Sequence, residues 1–292
     1  MIGLPPAQLR DLERAVDFLE RRRLAVRVAN YAGRPLDSAL KRFPGMNGAV
    51  HRALRSAIWH CLSIAIASQS EEAFVPSPWR ARMLTGVSGG LGGLFGAAAL
   101  PVELPFTMTM MLRGVADIAR DNGEDLKSLE PRLACLQVFA LGGRNADAGG
   151  AIGYYAARAA LTKLTADVMA NLVERTVLDA SAPVVARMVT EIVSRFGLVL
   201  SERAAAGAIP LLGAIGGASI NVIFTDHFER LAHGHFTLRR LEREYGGDAV
   251  RDNYVTILNR PDRQRRFRRA RQLFIPASFR TGGPILTSGP KT

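Results

Sequence analysis

Cysteine and lysine are both scarce in this chain of 292 residues, and each scarcity narrows the class of protein. Cys61 and Cys135 lie far apart without CxxC spacing, so we predict neither a disulfide framework nor a cysteine-only zinc site, and a reducing cytoplasm fits. Only four of the 38 basic residues are lysines. Such a bias suits phosphate binding through guanidinium groups, and it equally fits a codon bias toward arginine.

Two further absences concern targeting and fold. The start of the chain has no basic region followed by an apolar run and a cleavage site, so no secretory signal is predicted. No stretch alternates apolar and polar β-branched residues. We therefore predict an all-α fold, a single multi-helix bundle-like domain with glycine-rich central helices. The predicted organisation is an N-terminal amphipathic helix over 1–30, a helical domain over 31–250 and a basic, largely disordered tail over 251–292.

Apolar periodicity and turn residues place the individual helices. We expect a helix to begin near Pro105 and to stop at Asn122-Gly123. The other predicted helices cover Pro6 to about Ala29, 49–69, the segment LEPRLACLQVFALGG, 151–180, 184–200, and one broken or two consecutive helices over 204–245.

The positive charge is concentrated at the C-terminus. The whole chain carries +12, and residues 251–292 hold ten basic and two acidic side chains, so this tail supplies +8 and leaves +4 for the rest. We predict contact with anionic lipid or another phosphate at Arg263, Arg265, Arg266, Arg268, Arg269 and Arg271. Nucleic acid is the alternative partner, but Phe267 is the only aromatic residue in the run, which leaves little for bases to stack on.

A glycine-rich segment, TGVSGGLGGLFG, begins at Thr85. No lysine lies between Lys41 and Lys127, so the segment cannot be a GxxxxGK phosphate loop, and the dinucleotide pattern GxGxxG fails at Phe95. GVSGG does match GxSxG, which makes Ser88 a candidate hydrolase nucleophile, although the surrounding sequence lacks the strands of a hydrolase sheet.

On a helix, the small residues of this segment form one stripe that allows close helix contact. The stripe includes Gly86, Gly89, Gly90 and Gly93, and a second apolar stretch has similar spacing at Gly213 and Gly217, followed by Asn221. Residues 84–102 and 204–225 are uncharged over nineteen and twenty-two residues. We expect two buried core helices that pack against each other; an insertable hairpin and membrane spans are the alternatives.

Polar residues beside the first apolar stretch are the second group of candidates. Glu103, Arg113 and Asp117 could form a buried polar centre with a catalytic role, or they could be a helix cap and an Arg113–Asp117 ion pair at i,i+4 spacing. The histidines 227, 233 and 235 point in different directions on a helix. We therefore predict no metal site, and no motif indicates a cofactor.

Several of these motifs occur together in one order. GVSGGLGGLFG is followed by ELPFTMTMMLRGVADIA, DNGEDLKSLEPRLACLQVFALGG, GYYAARAAL and IPLLGAIGGASINVIFTDHFERLAHGHFTLRRLE. In this order the chain resembles the EcsC family over about 50–245. It departs from the family pattern at Glu103, where the family usually has Asp, and at Asn122, where the family usually has Tyr.

The resemblance implies a bacterial protein near a membrane, since the family is named from an operon whose other products look like an ABC transporter that affects secretion. It supplies no catalytic residue. We expect a non-enzymatic accessory or regulatory protein that is cytoplasmic, with peripheral attachment to the inner membrane or to a membrane protein. The alternative is a hydrolase that uses Ser88 or the centre formed by Glu103, Arg113 and Asp117.

Overall fold

A computed structural model describes residues 3–20, 46–67, 100–142, 150–175, 183–207 and 213–261. Every regular element within these ranges is an α-helix, which confirms the predicted all-α fold. In chain order, the described helices are α1 (Pro6–Glu20), α2 (Met46–Ala67), α3 (Leu100–Asp121), α4 (Leu129–Gly142), α5 (Gly150–Arg175), α6 (Pro183–Gly207), α7 (Gly213–Tyr245) and α8 (Gly247–Leu258).

Helix α4 lies at the centre of the bundle because it is apolar on every side. Residues 133–141 are all buried, and the helix contacts α2, α3, α5, α6 and α7. Phe139 packs against Phe196 of α6 and Phe228 of α7, with ring centroids 5.5 and 5.6 Å apart. Aromatic pairs of this kind contribute about 0.5–1.5 kcal/mol beyond the burial of their area. The three rings therefore join α4, α6 and α7 in one core.

Helix α3 ends where the sequence predicts, at Asn122-Gly123. Gly123 has φ +77°, a left-handed conformation that glycine adopts without steric cost. Its N–H donates to the carbonyl of Arg120, and the N–H of Glu124 donates to the carbonyl of Ala119. This pair of hydrogen bonds is a Schellman motif, which satisfies the last carbonyls of the helix and turns the chain into α4.

The start of α3 differs from the prediction. The helix begins at Leu100, and Pro105 lies inside it rather than at its first turn. Proline lacks an N–H, so the helix loses the single hydrogen bond that residue 105 would have donated to Pro101. The carbonyl of Pro105 accepts a hydrogen bond of 2.7 Å from the Thr109 hydroxyl in addition to its helical role.

Residues 251–258, which the sequence assigned to the predicted basic tail, are helical. Residues 247–258 form α8, whose Val250, Tyr254 and Ile257 are buried at helical spacing. In the sequence, polar residues and an arginine separate these apolar residues, so the apolar face is hard to recognise. Residues 262–292 lie outside the described ranges.

Helices α1 and α8 pack on α7 and on each other. At Gly234 of α7, an added Cβ would lie 2.7 Å from Leu19 Cγ and 3.1 Å from the Ala15 carbonyl oxygen, so glycine is what allows α1 to approach. The Tyr254 hydroxyl of α8 donates to Glu20 Oε1 of α1 at 2.7 Å. These contacts connect the two ends of the described chain.

Helices α3 and α7 run in the same direction. Glu130 at the start of α4 pairs with Arg239, and Phe139 farther along α4 meets Phe228, so α4 and α7 are antiparallel. The turn at Gly123 reverses the chain between α3 and α4, which also pack together. The N-terminal halves of α3 and α7 therefore lie at the same end of the bundle. Across the described helices, none combines the length and the apolar character needed to cross a bilayer.

Candidate functional site

The C-terminal half of α7 presents four polar side chains on one face. They recur at i, i+4, i+7 and i+8, which places them on one side of a helix. These residues are His235, Arg239, Glu242 and Arg243. They face the turn between α3 and α4, the start of α4 and the first turns of α5, and together they form the most extensive polar cluster among the described residues.

Tyr154 of α5 and His235 of α7 form a fully buried pair. The Tyr154 hydroxyl lies 3.0 Å from His235 Nδ1, and both side chains are within 1% of full burial. One ring nitrogen of neutral His235 carries the proton and the other accepts, and the contact between the hydroxyl and Nδ1 holds for either tautomer. The other ring nitrogen, Nε2, is buried and has no hydrogen-bond partner among the described residues.

Burial fixes the protonation states of this pair. The pKa of His235 lies well below its usual 6.5 because burial penalises the cation and because Arg158 and Arg239 repel it. Burial likewise raises the pKa of Tyr154 to about 12, although the Arg158 guanidinium opposes the rise. Neither group exchanges a proton near neutral pH, so the pair is a poor acid–base catalyst.

Arg239 links α7 to both sides of the turn between α3 and α4. Its guanidinium donates to both carboxylate oxygens of Glu124 at 2.8 and 2.9 Å and to both oxygens of Glu130 at 2.8 Å. Arg243 also pairs with Glu124 and donates to the Asn122 carbonyl at 2.7 Å. Burial raises the pKa of Glu124, but the hydrogen bonds and charges of the two arginines outweigh it, so the pKa is lowered overall.

Arg158 and Glu242 join α5 to α7 by a bidentate ion pair of 2.8 and 2.6 Å. With this pair, the cluster holds three arginines and three glutamates, so its charges balance. A balanced set of bidentate pairs holds helices in register, whereas an anion-binding site needs cationic groups in excess. We interpret the cluster as a structural staple between α5, α7 and the turn after α3.

The two cysteines provide no nucleophile. Both side chains are fully buried and free. Burial raises the pKa of Cys61 to about 12, partly offset by a hydrogen bond with Thr109, and burial also raises the pKa of Cys135. Both are therefore thiols at neutral pH, and the thiolate is the reactive form.

Most of the sequence-predicted site residues have no described side chain. Glu103, Gly213, Gly217 and Asn221 belong to α3 and α7, of which only the backbone is described at these positions. The residues that lie wholly outside the described ranges are Ser88, Gly86, Gly89, Gly90, Gly93, Arg263, Arg265, Arg266, Arg268, Arg269 and Arg271. The contact between the two glycine stripes and the serine hypothesis therefore remain predictions.

Arg113 and Asp117 do not form the predicted ion pair. Asp117 pairs instead with Arg120, at 3.3 Å between Oδ1 and Nη1. Burial raises the pKa of Asp117, with Arg120 opposing and Asp121 adding to the rise. The spacing alone could not select the partner of Asp117, because Arg113 and Arg120 are both helical neighbours of it, four residues before and three residues after. Residues that could bind a metal as a group of three are not found in the described ranges.

Sequence reasoning missed the polar cluster on α7. Its partners are far apart in the chain, since Arg239 and Glu124 are separated by 115 residues and Tyr154 and His235 by 81. The available signal was the i, i+4, i+7 and i+8 spacing of polar residues, on a half-helix that carries further charged residues, such as Arg240 and Glu244, off this face. That spacing predicts a buried polar face without identifying its partners.

The fold and the cluster define a class of protein: an α-helical bundle held together by an internal network of ion pairs. The model of the EcsC protein family matches residues 68–241, and the chain belongs to this family, as the motifs predicted. The matched region includes α3 to α6 and most of α7, whereas α1, α2 and α8 lie outside it. Neither the curated proteins nor the solved structures gave a match.

Proposed function

We propose that this EcsC-family protein is a non-enzymatic accessory protein, linked to transport or secretion, that attaches peripherally to the cytoplasmic face of the bacterial inner membrane. The observation that carries the proposal is a pair of exposed apolar side chains, Phe106 and Val222, on the N-terminal halves of α3 and α7. The basic segment after Arg260 supplies a second, electrostatic contact.

Phe106 and Val222 are large apolar residues with 40% and 59% of their surface exposed. They lie at one level of the bundle because α3 and α7 are parallel and meet where Thr237 hydrogen-bonds to Asn122. Phe106 precedes Asn122 by 16 residues, and Val222 precedes Thr237 by 15. At 1.5 Å per residue both lie about 22–24 Å from that contact. We call this position the Phe106/Val222 level.

Charge is sparse on the stretches of α3 and α7 that lead up to this level, and the first charged side chain of α7, Asp226, pairs with Arg230. Residues 213–225 of α7 carry no charged side chain, and residues 100–112 of α3 carry only Glu103. The opposite end of both helices holds the ion-pair cluster of Arg239 and Glu124. An apolar end with a single carboxylate can enter the boundary between headgroups and acyl chains at the desolvation cost of that one group.

The far end of the arginine cluster can reach the same membrane. Arg260 pairs with Glu13 of α1, and Asp11, two residues earlier in α1, pairs with Arg240 at 2.9 Å. Arg240 lies 18 residues beyond Val222, which is about 27 Å along α7. An extended chain of eleven residues spans up to about 36 Å, so Arg271 can reach headgroups near the apolar end. Each arginine at an anionic surface contributes about 1 kcal/mol.

Flotation with vesicles tests the proposal. The full chain should float with vesicles that contain phosphatidylglycerol. Flotation should weaken when the six arginines of 263–271 are changed to glutamine, and also in the double variant Phe106→Ser and Val222→Ser. Val255→Ser is the matched control, since Val255 is also exposed, at 37%, but lies on α8. A wild-type protein that stays with the soluble fraction on these vesicles would refute the proposal.

A further inference from the structure

One face of α3 combines an apolar and a cationic side chain. At 100° per residue, Met110, Arg113 and Asp117 fall within about 40° of Phe106 around the helix axis. Phe106 is exposed and Met110 is buried, at 8%, whereas Arg113 and Asp117 are partly exposed. Arg113 lies seven residues beyond Phe106, about 10 Å farther from the uncharged end of the bundle.

Arg113 has a charge without a matching carboxylate. Its nearest acid on the helix, Asp117, pairs with Arg120, and no described residue forms an ion pair with Arg113. The Arg113 Nε atom is buried and has no hydrogen-bond partner among the described residues, and the side chain as a whole is partly exposed. A guanidinium in this position is suited to an oxyanion that arrives from outside the chain.

We infer that Arg113 binds the phosphate of a lipid headgroup while Phe106 and Val222 insert at the boundary between headgroups and acyl chains. The inference rests on the proposed membrane attachment and gives that contact a depth and an orientation. Each headgroup region of a bilayer is about 5–8 Å thick. The separation of about 10 Å between Phe106 and Arg113, together with the length of the arginine side chain, places the guanidinium among the phosphates.

Depth measurements with nitroxide labels test the geometry. Single cysteines are introduced by Phe106→Cys, Val222→Cys, Gly114→Cys and Val255→Cys. The native cysteines can remain because both are fully buried thiols with raised pKa values. Collision with oxygen and with a water-soluble nickel complex then reports the depth of each label in phosphatidylglycerol-containing vesicles.

We expect labels at 106 and 222 to lie at equal depth, at the boundary between headgroups and acyl chains. A label at 114 should lie about 12 Å closer to water, beyond the headgroups, because it is eight residues farther along α3. A label at 255 should stay in water. Its neighbour Tyr254 stacks on Tyr154, and Tyr154 contacts His235, which lies about 20 Å beyond Val222 along α7. If the labels at 106 and 222 insert but the label at 114 is as deep as they are, the inference is wrong and the proposed function stands. If the labels at 106 and 222 stay in water, or the protein does not float at all, both fail.

Removal of the Arg113 charge tests the phosphate contact. Arg113→Gln should lower the partition coefficient on the same vesicles about fivefold, the equivalent of about 1 kcal/mol for one arginine at a membrane. Arg113→Lys should retain part of the affinity. Arg14→Gln is the matched control, because Arg14 is 71% exposed on α1 at the opposite end. Equal partition coefficients for wild type and Arg113→Gln, with unchanged thermal melts, would overturn the assignment.

Discussion

Gly234→Ala tests the docking of α1 on α7. A methyl group at Gly234 would lie 2.7 Å from Leu19 Cγ, whereas carbon atoms in contact are usually 3.5–4.0 Å apart. Leu19 or the whole of α1 must therefore move by about 1 Å. Cγ is the branch point of the leucine rather than its flexible end, and Leu19 is only 4% exposed, so it has little room to move. The carbonyl oxygen of Ala15 at 3.1 Å is backbone and also resists.

Helix propensity and steric overlap have opposite effects on the stability of Gly234→Ala, and their balance decides whether the variant is more or less stable than the wild type. Alanine in place of glycine inside a helix stabilises by about 1 kcal/mol. Overpacking of a well-filled core costs about 1–3 kcal/mol. We expect the clash to win, with a net loss of up to about 2 kcal/mol in the free energy of unfolding. Urea titration followed by far-UV circular dichroism measures this loss.

A double-mutant cycle with Leu19→Ala separates the two terms. Leu19→Ala alone should cost about 2–5 kcal/mol because it opens a cavity between α1 and α7. In that background Gly234→Ala no longer meets Cγ, and it should become neutral or stabilising, with a coupling energy of about 0.5–3 kcal/mol. If Gly234→Ala stabilises the wild-type protein by the full helix-propensity term, α1 does not pack against Gly234 and the reasoning is refuted.

Three further predictions concern buried groups. The folded-state pKa of His235 lies below its unfolded value of 6.5, so the unfolded chain binds the proton first. The free energy of unfolding should therefore fall as the pH drops below about 6.5, by up to about 1.4 kcal/mol per pH unit. The urea midpoint of His235→Gln should depend less steeply on pH over this range. Cys61 and Cys135 should resist a thiol reagent in the native protein and react in urea, and rapid native labelling would contradict their burial. Arg239→Met should lower the free energy of unfolding by about 3–5 kcal/mol, because it leaves the carboxylate of Glu124, 3% exposed, without its main partner. Glu124→Gln in that background should restore part of the lost stability in a thermal melt. An additive loss would show that the two side chains do not interact.

Local chemistry made part of the fold predictable. The end of α3 follows from the Asn122-Gly123 pair, because only glycine adopts the required φ of +77° without strain. Pro105 was a misleading local signal: proline favours a first turn, but the helix accepts the loss of one hydrogen bond and begins at Leu100. The apolar face of α8 escaped prediction because its three buried residues, spaced at i, i+4 and i+7, lie between arginines and acids.

The ordered motifs of the sequence identified the EcsC family, and helical periodicity, with the absence of strand patterns, determined the all-α class. Only the tertiary structure decided which side chains meet. Arg239 meets Glu124 and Glu130, Tyr154 meets His235, and Asp117 pairs with Arg120 rather than with Arg113. The physical reason is the sequence separation of the interacting residues. Caps and amphipathic faces depend on neighbours within a few residues. Ion pairs across helices, and the coincident level of Phe106 and Val222, depend on how the helices pack.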